Sequence, residues 1–148
     1  MKEIVKAPVE EIRQKFPYVE VDEQQTVIVP VDKLVELMRG LKNEFALDFL
    51  TNETAVDYPE ESKFEMIYNL NSICRGYTVM VKAGVDRDNP EIPSMFPIWG
   101  GANWQEREIY DLMGIVFTGH PNLKRILLDD KFDGHPLRKD FQWESVRE

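Results

Sequence analysis

Five side chains that could move protons or hold a metal ion lie close together in the sequence, between residues 106 and 135. They are Glu106, Glu108, Asp111, His120 and His135. Carboxylates and imidazoles serve as general acids and bases, and both groups also bind divalent metal ions. Two chemistries are therefore open: acid–base catalysis by the carboxylates, or a metal site that joins the two histidines to carboxylates.

The two histidines occupy similar turns, Gly119-His120-Pro121 and Gly134-His135-Pro136. Asp129, Asp130 and Asp133 lie between them and could complete a metal site. A metal site inferred from a motif alone is a weak hypothesis, and histidines in such turns are more often held by hydrogen bonds. We therefore expect no bound metal, and a free-standing metal-dependent enzyme that uses these carboxylates and histidines is the less favoured alternative.

Other chemical motifs are missing from the sequence. It contains no glycine-rich dinucleotide fingerprint, no phosphate-binding Gly-Lys-Ser/Thr loop, no His-Glu-x-x-His pair and no Gly-x-Ser-x-Gly elbow. Cys74 is the single cysteine, whereas an iron–sulfur cluster usually takes four thiolates. We therefore expect no catalytic residue and no NAD, flavin or cluster site in this chain.

A helix is predicted to carry the carboxylates. Residues 102–113 contain neither proline nor glycine, and Gly114 follows, so the helix is expected to end at Met113. Arg107 and Asp111 are four residues apart, a spacing that allows an ion pair on the helix surface. In an arbitrary sequence Glu106-Arg107-Glu108 would be a solvated charged face, but the apolar run and the turns that follow weigh against that interpretation here. A short strand over 115–117 should follow this helix.

The chain beyond residue 118 is predicted to be an extended tail, 119–148, attached to a domain formed by residues 1–118. From Leu128 onward it has neither helical nor strand periodicity, and a stretch of that kind is usually functional or disordered. Its large aromatic residues and its Arg125, Arg138 and Lys139 cations suit a docking surface that pairs with carboxylates of a partner. For Trp104 and Phe117, burial in the core is the stronger explanation.

The segment from Glu106 to Phe141 closely resembles the signature of the thirty-kilodalton subunit family of complex I, the NADH:quinone oxidoreductase. Looser similarity extends upstream to about Leu50. The residues assigned to the family signature and to partner docking are Glu106, Arg107, Glu108, Tyr110, Asp111, Gly114, Phe117, Gly119, His120, Pro121, Leu123, Arg125, His135, Pro136, Arg138, Lys139, Asp140 and Phe141.

The resemblance implies a structural subunit without a cofactor of its own. Its expected partners are a hydrogenase-like large subunit and a small iron–sulfur subunit. NAD, FMN, iron–sulfur clusters and quinone are expected in partner subunits. The expected location is cytoplasmic, at the inner face of the cell membrane through the complex. Asn71 to Cys74 replace a more basic segment that is common in the respiratory members of the family. The equivalent subunit of an energy-converting membrane-bound hydrogenase therefore remains an alternative.

The upstream sequence predicts the fold class. A short helix from Ala7 to Phe16, a hairpin over 18–29, a helix capped by Asp32 and strands over 45–55, 63–72 and 76–84 give the order α-β-β-α-β-β-β. This order predicts a two-layer α+β fold with helices on one face of the sheet. The resemblance implies that the sheet is mixed. The turn over 57–61 is predicted to be acidic and exposed.

Charge and hydropathy narrow the function classes. The formal net charge is −9, which argues against binding to nucleic acid or to an anionic membrane surface. Residues 1–100 hold 18 acidic and 11 basic side chains, whereas residues 119–143 hold four acidic and five basic. No apolar run reaches the ~18 residues of a membrane span, and no signal peptide is evident. We expect a soluble, unexported chain.

Overall fold

The computed structural model describes residues 6–142. The parts of the predicted domain and tail at 1–5 and 143–148 lie outside the described residues. The helices and strands are, in chain order, α1 (Val9–Lys15), β1 (Glu20–Val21), β2 (Val27–Ile28), α2 (Leu34–Phe45), β3 (Phe49–Tyr58), β4 (Lys63–Ser72), β5 (Tyr77–Asp86), β6 (Glu91–Pro93), α3 (Ala102–Met113) and β7 (Val116–Thr118).

A mixed five-stranded sheet with the strand order β1-β2-β5-β4-β3 forms the centre of the fold. The β2–β5 pair is parallel, and the other pairs are antiparallel. Along β4 and β5 the side chains alternate between buried and more exposed, so one face of the sheet is covered. The predicted α+β fold with a mixed sheet is confirmed.

The covered face packs against the helices. Leu34, Leu37, Met38 and Leu41 form the buried stripe of α2 at helical spacing. They join one continuous core with the inward side chains of β4. The prediction that Asp32 caps α2 is wrong, because the helix has no side-chain cap and a 3₁₀ turn over Val31–Lys33 leads into it instead.

Most strand boundaries differ by a few residues from the sequence prediction, and two differences are larger. The first long strand begins at Phe49, because α2 extends to Phe45 and Ala46 then adopts a left-handed conformation that ends the helix. Part of the segment after β5, for which the sequence predicts an extended loop, forms β6 and pairs in parallel with β7. This small second sheet packs beside α3.

The helix α3 has the predicted bounds. It ends at Met113, and Gly114 follows with a φ angle of 79°, a conformation that glycine adopts without steric cost. The described part of the tail, 119–142, contains no helix or strand. Within residues 6–142, no helix has the length and apolar character needed to cross a bilayer.

Candidate functional site

Asp111 of α3 is the main point at which the tail is attached to the domain. Its side chain is 0% exposed. One carboxylate oxygen, Oδ2, accepts hydrogen bonds from the backbone amides of residues 126, 127 and 128, at 3.1, 2.7 and 2.9 Å. The other, Oδ1, accepts one from Arg125 Nη1 at 2.8 Å. A single buried carboxylate therefore fixes four consecutive residues of the tail.

These contacts set the charge state of Asp111. Burial by itself would raise the pKa of this carboxyl, but the three amide donors and the Arg125 guanidinium outweigh burial and lower the pKa. Arg125 also donates to the carbonyl oxygen of Gly134 at 2.7 Å, which extends the attachment further along the tail. Asp111 is therefore ionised and tightly bound at neutral pH.

The predicted Arg107–Asp111 ion pair is wrong. Arg107 instead donates to the carbonyl oxygens of Lys124 and Arg125 at 3.0 and 3.1 Å. Its guanidinium also lies 5.1 Å from the ring centre of Trp104. Asp111 instead points into the protein, because the amides of the tail offer it more donors than one surface arginine could.

A second buried carboxylate, Asp57 at the end of β3, attaches the distal tail. Arg87 donates to its two oxygens at 2.7 and 3.1 Å, and the backbone amide of Lys139 donates to Oδ2 at 2.8 Å. Burial alone would raise the pKa of Asp57, but these donors lower it. The prediction that this acidic turn is exposed is therefore wrong for Asp57, which is buried.

Both histidines are hydrogen-bonded within the chain, as expected for turn residues. His120 donates from Nε2 to the carbonyl oxygen of Asn103 at 3.1 Å and accepts from the amide of Asn122 at Nδ1. His135 Nδ1 lies 2.9 Å from the carbonyl oxygen of Asp111, and its ring lies 6.0 Å from that of Tyr110. Among residues 6–142, no group of three or more His, Cys, Asp or Glu side chains is arranged to hold a metal ion.

Glu106 is buried, so it does not belong to a solvated charged face. Its carboxylate accepts from the Ser94 hydroxyl at 2.5 Å and from the Met95 amide at 2.8 Å. It thereby joins α3 to the segment after β6. Glu108, by contrast, is exposed on the same helix.

The signature residues are divided between the core and the surface. Arg138 donates to Asp140 at 3.0 and 3.1 Å and lies 5.2 Å from the ring centre of Phe64, so its ion pair is internal. Phe141 stacks on Phe132. Buried signature residues are Glu106, Asp111 and Phe117; half-buried ones are Arg107, Tyr110, Gly114, His120, Leu123, Arg125, His135, Pro136, Arg138 and Phe141; exposed ones are Glu108, Gly119, Pro121, Lys139 and Asp140.

Several large apolar side chains on α3 and the tail face solvent. Trp104 is 56% exposed, and Leu127 and Leu137 are each 58% exposed. The sequence places Trp104 in the core, and the structure corrects this expectation. The exposed apolar surface adjoins the segment that Asp111 and Arg107 hold, so it is presented by an ordered backbone.

Sequence reasoning missed Glu53, Asp57, Tyr68 and Arg87 as structurally important polar residues. For Glu53, a β-bulge between Leu50 and Asn52 explains why its burial was missed. Strict alternation from Leu50 would turn Glu53 toward solvent, but the extra residue reverses the alternation, and Glu53 lies opposite Tyr68 on the buried face. No signal in one sequence locates such a bulge.

Comparisons with known proteins agree on one family. Residues 27–147 match the family described as the 30 kDa subunit of the respiratory-chain NADH dehydrogenase. A NADH-quinone oxidoreductase subunit of Moorella thermoacetica is 48% identical over 140 residues, which cover 93% of this chain and 95% of that protein. The subunit of the same name from Geobacter metallireducens is 43% identical over 137 residues, covering 88% and 85%.

Two solved structures share the fold. A trypsin-resistant fragment of Nqo5 is 34% identical with a TM-score of 0.67, and the match covers 78% of this chain and 96% of that one. A chain of the membrane-bound sulfane sulfur reductase, described as an archaeal respiratory membrane complex, is 30% identical with a TM-score of 0.79, covering 90% and 83%.

Proposed function

This chain belongs to the family of the 30 kDa subunit of the respiratory-chain NADH dehydrogenase, the NADH-quinone oxidoreductase, and we propose that it is the structural, cofactor-free member of such a complex. Its task is to dock onto a hydrogenase-like large subunit, next to a small iron–sulfur subunit. NAD, FMN, iron–sulfur clusters and quinone belong to the partner subunits, and the complex lies at the cytoplasmic face of the cell membrane.

The observation that carries the docking role is the ordered tail with outward-facing leucines. Asp111 and Asp57 hold its backbone at two places, yet Leu127 and Leu137 remain more than half exposed. A segment that is already ordered loses less conformational entropy on binding than a disordered one. The tail is therefore suited to present apolar side chains to a partner.

The same contacts support different roles for the domain and for the tail. The α+β domain, 1–118, supplies the buried carboxylates, and the tail, 119–148, supplies the docking surface. We do not expect Arg125 to pair with the partner, because its guanidinium already donates to Asp111 and to the carbonyl oxygen of Gly134. The exposed Lys139 side chain, by contrast, is placed to pair with a carboxylate of the partner.

The test is co-purification of a tagged full-length chain from mildly solubilised membranes of the native host. The double variant Leu127→Glu with Leu137→Glu should lower the yield of the large subunit at least about tenfold, which corresponds to ~1.4 kcal/mol of binding free energy. The matched control is Ile73→Glu, which changes an even more exposed side chain, 70%, in the β4–β5 turn. Undiminished recovery with the double variant would show that the tail leucines are not the docking surface.

The sulfane sulfur reductase structure supports a second candidate, the equivalent subunit of a hydrogenase-type membrane complex. Mass spectrometry of the co-purified proteins separates the two candidates. An NADH-oxidising module with flavin would favour the NADH-quinone oxidoreductase, whereas a large subunit with the cysteine pairs of a nickel–iron site would favour the hydrogenase type. A chain recovered alone would contradict both.

A further inference from the structure

Two buried carboxyl groups meet between β3 and α3. Glu53 is 3% exposed and Glu106 is 0% exposed. The two elements are joined directly beside them, since the Glu53 amide donates to Gln105 Oε1 at 2.5 Å. Among residues 6–142, no lysine or arginine forms an ion pair with either carboxyl. Two adjacent buried negative charges without a cation would be strongly unfavourable.

The surroundings of the two carboxyls are unequal. Glu106 accepts from the Ser94 hydroxyl and from the Met95 amide, and such donors favour the ionised form. Within residues 6–142, neither oxygen of Glu53 has a hydrogen-bond partner of normal geometry. The buried hydroxyl of Tyr68, which lies opposite Glu53 in the β3–β4 register, also has no partner in that range. An uncharged Glu53 is the form that such a site tolerates.

We propose that Glu53 and Glu106 form a buried proton-binding site, in which one proton resides on Glu53 and the neighbouring Glu106 carboxylate stays ionised. The proton comes from solvent as the chain folds, and it returns to solvent when the chain unfolds. It removes the repulsion between the two groups and so allows α3 to pack against β3. Loss of this proton would destabilise the packing of α3 against β3. Because Asp111 of α3 holds the tail, it would also weaken the attachment of the tail.

The electrostatic surroundings support this assignment. Burial raises the pKa of Glu53 well above its ordinary value, and the nearby Glu106 raises it further, although the two carboxyl groups do not align as a normal hydrogen bond. The pKa of Glu106 is also raised, because burial outweighs the opposing effects of its two donors, of Glu53 and of the nearby His120. Burial and the two carboxyls raise the pKa of Tyr68. The titratable groups that face the pair are thus Tyr68 from β4 and His120 from the turn after β7.

The sign of the pH dependence follows from proton counting. Because the native chain holds a proton that the unfolded chain loses above the ordinary glutamate pKa of about 4.5, stability should fall as the pH rises from there toward the raised pKa of Glu53. Glu53→Gln supplies a neutral side chain of the same shape, so its stability should fall less over this range. The lowered pKa values of Asp57 and Asp111 change the stability only at more acidic pH.

The experiment uses the full chain and counts protons. On unfolding at pH 7, the wild type should release about one proton more than Glu53→Gln, measured by calorimetry in buffers of different ionisation enthalpy. Glu108→Gln, exposed on the same helix, is the matched control and should release as many protons as the wild type. Equal release by Glu53→Gln and the wild type would overturn the proposal.

A second measurement does not depend on whether the variant folds. In wild-type protein with ¹³C-labelled glutamate carboxyls, one resonance should keep the chemical shift of a protonated carboxylic acid at neutral pH. Titration with Mg²⁺ or Na⁺ should leave that resonance in place. If every glutamate carboxyl is ionised at pH 7, or if added cation stabilises the chain and displaces the proton, the site holds a cation or two charges and the proposal is wrong.

Discussion

Replacing Asp111 by asparagine should release the tail while leaving the domain folded. The asparagine amide can place its oxygen where Oδ2 accepts three backbone amides, but its NH₂ group then faces the Arg125 guanidinium, and two donors meet. The change also leaves the charge of Arg125 half-buried without a counter-ion. Removing one partner of a buried ion pair typically costs about 3–5 kcal/mol.

That cost is a substantial fraction of the free energy of unfolding of a domain of this kind, about 5–15 kcal/mol. It should act locally, since the donors belong to the tail, whereas the sheet, α2 and α3 share one continuous core. A loss of about 3 kcal/mol in the opening free energy corresponds to ~100-fold faster hydrogen exchange. The affected amides should be those of residues 126, 127 and 128.

Hydrogen exchange followed by NMR or mass spectrometry measures this effect, with Glu108→Gln as the control on the same helix. A double-mutant cycle of Asp111→Asn with Arg125→Gln should recover part of the loss, because the second change removes the unpaired charge. Unchanged exchange at the three amides would refute the argument that one carboxylate holds the tail.

The same carboxylate predicts an acid transition in the wild type. Because the pKa of Asp111 is lowered from its ordinary value of 3.8, its contribution to stability is fully present above that value and is lost as the pH falls through the lower native pKa. Protection at the three amides, which is the exchange rate of the unfolded chain divided by the observed rate, should therefore fall at acidic pH. In Asp111→Asn it should lack this acid dependence.

Two glycine positions give further predictions. Helix propensity alone suggests that Gly40→Ala stabilises α2 by roughly 1 kcal/mol. The added Cβ would overlap the ring of Phe16, so we expect instead a loss of about 1–3 kcal/mol in the free energy of unfolding, measured by urea denaturation. Gly114→Ala should cost more than Gly119→Ala: both have positive φ angles, 79° and 81°, but only at Gly114 would the Cβ meet a neighbour, His135 Cδ2 at 2.7 Å. Stabilisation by Gly40→Ala, or equal losses for the other two variants, would contradict the packing described here.

Most of the secondary structure can be predicted from the sequence because the signals for helices, strands and turns lie within short runs of neighbouring residues. The run without proline or glycine from 102 to 113, followed by Gly114, predicts the bounds of α3. β-Branched and aromatic residues between turn signals predict the bounds of β4. The hairpin near the N-terminus is also predicted, although its strands are only two residues each. Strand β6 was missed because a three-residue strand that follows Pro90 and ends at Pro93 shows no periodicity.

The positions of the buried charges depended on contacts far apart in the chain. Glu106, Arg107 and Glu108 look alike in the sequence as charged helix residues, yet one is buried, one is half-buried and one is exposed. The partners of Asp111 lie 14 to 17 residues later, and the Lys139 amide bound by Asp57 lies 82 residues away. Spacing rules describe neighbours on one helix or strand, so they could not pair these groups.

The sequence by itself thus determined the fold class, the family and the residues of the signature, since periodicity, turn residues and a long ordered motif are properties of the chain. The tertiary structure alone decided which carboxylates hold the tail. It also decided that Glu53 and Glu106 lie together with no ion pair to a lysine or arginine among residues 6–142. The physical reason is that burial and hydrogen-bond donors set the state of a carboxyl group, and both come from elements that meet only in the folded protein. A single bulged residue in β3 was enough to turn Glu53 from solvent to the core.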